Sequence, residues 1–192
     1  MDIILASTSP RRAEILNFFS LPFTQKSPEF DEESVPYLGE PENYVTTLAV
    51  EKAHKAKELY SNTIIIAADT LVAQDKKVIG KPRDEKDMEE ILSSLSNQWH
   101  SVFTSVAVAS PDTMVSTCEE TKVLCNDLSK GEIEKYMNGL HLYDKAGAYA
   151  IQRSGALFVK EIKGCYYNVM GMPINSLQRL LKEVNIDLFN FL

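Results

Sequence analysis

Residues 63–73, TIIIAADTLVA, constrain the fold more than any other segment. The run is continuously apolar except at Asp69 and Thr70. A strand without polar alternation is buried on both of its faces. An unpaired carboxylate in such a strand is costly, so Asp69 needs a metal, a cation or a cavity beside it. The alternative is a carboxylate at the strand's end that caps a neighbouring loop.

Strand-like and helix-like segments alternate around this run, with no repeat and no low-complexity linker. Strands are expected at 3–6, 23–26, 63–73, 101–109, 115–124 and 156–162, with 77–79 pairing back on 63–73 through the turn at 74–76. Helices are expected at 11–19, from Pro41 to about Tyr60, from an Asp84 cap to about Leu95, at 130–138 and at 174–184. Residues 28–40 read as loop. Ser110–Pro111–Asp112–Thr113 signals a hairpin, so the sheet is mixed rather than a clean βαβ repeat. Residues 1–192 are expected to form one α/β unit, bent into two lobes, with no separable boundary.

The segment ILASTSPRRAEIL, residues 4–16, reads as a strand, a small polar loop and a helix that opens with two arginines. Ser9 suits the N-cap and Pro10 the first helical position. A helix start normally favours Asp or Glu, so Arg11 and Arg12 there fit a ligand that brings the negative charge, most simply a phosphate chain. The alternative is a capped helix whose arginines point into water.

Composition bounds the function. The chain holds 27 acids against 20 bases, a net charge of −7, which disfavours a nucleic-acid coat or a membrane-surface binder. No run approaches the ~20 apolar residues that span a bilayer, and the first residues enter a strand without a basic leader. Cys118, Cys125 and Cys165 are odd in number and form no CxxC pair, which fits a reducing compartment. A cytoplasmic protein is expected.

Further polar residues stand out. Lys52 falls in or beside the apolar stripe of the long helix; packing its stem and snorkelling its ammonium is the plainer reading. Lys81 is held between Gly80 and Pro82 on a turn. Asp31 and Glu32 lie in an acidic loop that solvent alone can explain. Gln152 follows AGAYAI, and its amide can read a base edge or satisfy backbone. There is no P-loop and no GxGxxG, and His54, His100 and His141 show no metal spacing.

Taken in order, LASTSPRR, FDE, AVEKAHKA, AADTLV, GKP, AGAYAIQ and YYNVMGMP resemble the Maf family of nucleoside triphosphate pyrophosphatases over nearly the whole chain. The resemblance implies a Maf/ITPase-like α/β fold, a long bent mixed sheet with two lobes flanking a central cleft. It implies metal-dependent hydrolysis of a nucleoside triphosphate to the monophosphate and diphosphate. Arg11, Thr70 and Gln152 match the branch acting on dTTP and UTP, and Asp69 matches the proton acceptor. Glu32, Lys52 and Lys81 match the other polar cleft positions. Ser7, Ser9, Arg11, Arg12, Lys52 and Lys81 are then expected to bind phosphate, and Glu32 and Asp69 to hold Mg²⁺ or Mn²⁺. Two alternatives remain open. One is the same reaction on 5-methyl-UTP, pseudo-UTP, 5-methyl-CTP or 7-methyl-GTP. The other is a non-catalytic nucleotide-binding regulator of cell division. The implied partner is a small nucleotide, with no nucleic acid and no membrane; homodimers are usual in the family, and no segment marks a dimer face. After the glutamine the family usually carries glycine, and this chain carries Arg153. If that position needs a positive φ, the loop must adjust.

Overall fold

The computed structural model describes residues 1–140 and 142–192; His141 lies outside them. Among the described residues, seven strands form a single mixed sheet. In chain order the elements are β1 (Ile3–Ala6), α1 (Pro10–Leu16), β2 (Thr24–Lys26), α2 (Pro41–Leu59), β3 (Ile64–Gln74), β4 (Lys77–Ile79) and α3 (Glu85–Leu95). They continue with β5 (Trp99–Ala109), β6 (Met114–Cys125), α4 (Lys130–Gly139), β7 (Val159–Lys163), α5 (Tyr166–Val169) and α6 (Ile174–Glu183). The sheet order is β2-β1-β3-β5-β6-β7, with β4 also on β3. β2, β1 and β3 run parallel, and β3, β5, β6 and β7 pair antiparallel.

The expected strand 63–73 is β3, buried along nearly its whole length because helices cover both faces. Its odd residues Ile65 and Ala67 meet Ala49, Ala53 and Ala56 of α2, together with Ala107 and Ala109 of β5. Small side chains on both sides let this helix lie close to the sheet. The even face carries two separate cores. Ile64, Ile66, Ala68, Val106 and Val108 pack on Ile15 and Leu16 of α1 and on Leu177, Leu180 and Leu181 of α6. Further along the same face, Val72, Val102 and Val123 pack on Met88, Leu92 and Leu95 of α3, and on Ile133, Tyr136, Tyr149 and Phe158. Between the two cores lie Thr70 and Thr104, opposite each other in the β3–β5 register. This is a polar waist on an otherwise apolar face.

The structure departs from the sequence expectation at short elements. α1 ends at Leu16, with Asn17 at its C-cap, rather than at Phe19. The strand expected at 156–162 begins only at Val159, because residues 153–157 wind into a 3-10 turn. That turn brings Gly155 so close to Ala150 that a Cβ would lie 2.2 Å from its carbonyl oxygen. Elsewhere local signals hold. Asp84 caps α3 by accepting from the Asp87 N–H, and Ser110 closes the hairpin turn with Thr113.

Candidate active site

The edge of β3 is interrupted. β1 pairs with residues 64–67 and β4 with residues 72–74 on that edge, so among the described residues 68–71 have no strand partner there. A cleft of about 330 Å³ opens at this gap, beside the C-terminal end of β1. The carboxyl ends of parallel strands are where α/β sheets most often hold ligands. The cleft is lined by Ser7, Ser9, Arg11, Arg12, Glu32, Lys52, Asp69, Thr70, Lys81 and Gln152. All ten candidate residues from the sequence therefore reach one place.

Asp69 extends the odd face of β3 toward α2, and Lys52 extends the alanine face of α2 toward β3. The two meet in a buried hydrogen-bonded ion pair. The Lys52 ammonium also lies 2.6 Å from Glu32 Oε1. Lys52 thus turns inward instead of snorkelling, because a carboxylate waits at the end of its packed stem. Burial pushes the Asp69 carboxyl above its ordinary range, with Lys52 and Arg12 pulling it back. Burial also raises Glu32, but Lys52, Lys81 and Arg12 outweigh it and hold that carboxyl below its usual value.

Arg12 is the buried arginine of the pair, 9% exposed, while Arg11 remains partly exposed 3.7 Å from Asp144. Four of the five guanidinium N–H groups of Arg12 bind protein. Nε donates to Gly171 O at 2.9 Å, Nη1 to Ala68 O at 2.7 Å and to Ser7 Oγ at 3.1 Å, and Nη2 to Thr70 Oγ1 at 3.0 Å. Arg12 therefore stitches the β1–α1 loop, the open edge of β3 and the loop before α6. This leaves it one donor for a ligand.

The loop at residues 7–9 is held from below. Gln25 of β2 donates to the carbonyls of Ser7 and Ser9. Ser7 Oγ accepts from Arg12 and from the Ser9 N–H, so its own hydrogen is left for the cleft. Ser9 occupies the N-cap without a side-chain cap bond. The exposed Lys81 lines the cleft from the turn after β4.

The hydroxyls at the waist have a determined polarity. Thr104 Oγ1 donates its single hydrogen to Asn168 O at 2.8 Å. Its 3.1 Å contact with Thr70 Oγ1 is then donated by Thr70. Thr104, Asn168, Gly171 and Gln25 were not singled out by sequence reasoning. Gly171 carried the clearest signal, a glycine before Met-Pro; it holds φ +96° and its Cβ would meet Thr70 Oγ1 at 3.0 Å. The remaining cleft wall includes Tyr149, whose hydroxyl lies 2.7 Å from His100 Nε2. Burial lowers His100 to about 4, so its ring is neutral at pH 7.

The cleft lies within a stretch that matches one family throughout. Residues 2–184 match the model of the family described as Maf-like protein. The chain belongs to that family. This Maf-like chain is 43% identical over 191 residues to a dTTP/UTP pyrophosphatase of Clostridium perfringens (strain 13 / Type A), covering 98% of the chain and 100% of the relative. It is 43% identical over 186 residues to a dTTP/UTP pyrophosphatase of Aquifex aeolicus (strain VF5), covering 97% of each. Among solved structures, a nucleoside-triphosphatase, dITP/XTP pyrophosphatase, from Mycobacterium abscessus is 18% identical, with a TM-score of 0.46 over 65% of the Maf-like chain and 74% of that chain.

Among the described residues, no group of three or more His, Cys, Asp or Glu side chains converges on a metal position. Glu32 and Asp69 do converge, since one ammonium touches both carboxylates. These two carboxylates are the residues that would hold a divalent cation. Two carboxylates suit Mg²⁺ or Mn²⁺, whose remaining ligands come from water and substrate phosphates. No described helix is long and apolar enough to cross a membrane.

Proposed function

We propose that this chain is a cytoplasmic nucleoside triphosphate pyrophosphatase acting on dTTP and UTP, a hydrolase of acid anhydrides. The observation that carries the reading is Asp69: a buried carboxylate, paired with a lysine, at the open edge of a central strand. The near full-length identity to relatives named dTTP/UTP pyrophosphatase supports the same substrates.

The triphosphate lies along the cationic side of the cleft. Arg11, Lys81, the remaining Arg12 donor and the Ser7 hydroxyl bind its oxygens, and Ser9 shapes the loop beside them. Glu32 and Asp69 would hold a divalent cation, which would supply charge neutralisation to the phosphates. Asp69 takes a proton from a water poised in line with the α-phosphorus. The water oxygen bonds to phosphorus as the bridging P–O bond breaks, giving the monophosphate and diphosphate. Lys52 and Lys81 neutralise the charge on the departing diphosphate. A carboxyl raised by burial is a stronger base than an exposed one, which suits this step.

Asp69→Asn tests the assignment. The variant keeps the shape and a hydrogen-bonding group, so it binds nucleotide. Its diphosphate release from dTTP and UTP falls by roughly 10²–10⁴-fold. Turnover near wild type in the variant would overturn the role of Asp69. A panel of dTTP, UTP, CTP, GTP, 7-methyl-GTP and 5-methyl-UTP, with Mg²⁺ or Mn²⁺, separates canonical from modified substrates. Tight nucleotide binding without release from any of them would instead identify a regulator.

A further inference from the structure

Asp69 and Thr70 are consecutive, so their side chains leave β3 on opposite faces. Asp69 meets the charged groups Lys52 and Glu32. Thr70 shares its face with Val72 and Val102, and Tyr149, Val169 and Met170 line the same apolar part of the cleft. A nucleotide laid over the gap in this edge puts its reacting phosphate beside Asp69 and its flat base in the apolar part of the cleft beside Thr70.

The chemistry that Thr70 offers a base is set from behind it. Its hydrogen goes to Thr104 Oγ1, and Thr104 passes its own to Asn168 O. One Thr70 lone pair is filled by Arg12 Nη2. What remains for a ligand is one lone pair and no donor. Thr104 is fully buried and cannot touch the ligand. The only N–H donor on a uracil or thymine base is at N3. Cytosine has a bare lone pair at that atom and would set acceptor against acceptor.

We infer that Thr104 is a specificity-positioning residue: it holds the Thr70 hydroxyl as an obligate acceptor, which selects bases that carry N3–H over cytosine. The inference rests on the proposed hydrolysis of pyrimidine triphosphates. In Thr104→Val the shape is kept and the acceptor behind Thr70 is lost. The Thr70 hydrogen is then free to turn toward the cleft and meet N3 of cytosine.

The measurement is kcat/KM for UTP and for CTP in wild type, Thr104→Val and Thr104→Ser. The UTP:CTP ratio is expected to fall by about tenfold or more in the valine variant and to return in the serine variant, which restores the hydroxyl. Equal losses on both substrates, with the ratio unchanged, would make Thr104 a packing residue and overturn the inference while leaving the hydrolase reading intact. If the valine variant does not fold, the inference is read from Thr104→Ala and Thr104→Cys, which remove or weaken the acceptor behind Thr70; a UTP:CTP ratio unchanged in both overturns it. No diphosphate release from UTP, dTTP or CTP by wild type would overturn the hydrolase reading and this inference together.

Discussion

Arg153 holds φ at +54°, a left-handed conformation that a side chain with a Cβ rarely adopts. The loop keeps the backbone that a glycine there would favour, and the arginine bears the strain. Arg153→Gly is expected to stabilise the protein by about 1 kcal/mol, read as a rise in the urea midpoint at unchanged slope. A lower midpoint would show that the exposed arginine side chain compensates for the strain. The need for special backbone here was legible from the motif, but its consequence was not, because φ belongs to the folded loop. The same limit applies to the arginine pair. Sequence placed both at a helix start, yet only tertiary contacts decide that Arg12 is clamped between four protein acceptors while Arg11 faces Asp144.

Among elements, the long ones were legible because hydrophobic period and caps repeat over many residues. β3, α2, α3 and the β5–β6 hairpin fall close to their expected bounds. The short ones depend on partners distant in sequence. α5 spans only Tyr166–Val169, and the buried Asn168 at its centre donates to Val102 O and Thr121 Oγ1 across the sheet. The loop that follows carries Gly171, whose carbonyl receives Arg12 and whose missing Cβ leaves room for Thr70. Gly171→Ala forces both a left-handed alanine and a tight contact on the Thr70 hydroxyl. A loss of about 1–3 kcal/mol is expected, with impaired turnover, measured by thermal melting beside diphosphate release. An alanine variant with wild-type melting would show that the loop shifts freely.

At the scale of the whole molecule, two cores share one face of the sheet, and β3 and β5 run through both. These strands are expected to tie the two ends into one cooperative unit. Leu177→Ala, in the core under α6, is expected to cost about 2–5 kcal/mol. The single tryptophan, Trp99, stands partly exposed under the Lys163 ammonium at the end of β5 nearer the other core. Its fluorescence midpoint is expected to fall together with the circular-dichroism midpoint. Divergent midpoints would mean that the two cores unfold separately. The strand that joins the cores also measures the ligand. Asp69 and Thr70 lie one peptide unit apart, about 3.3 Å along the chain. The spacing between the place for a reacting phosphate and the place for a base edge is therefore gauged by covalent geometry. That ruler keeps its length whatever shifts around it.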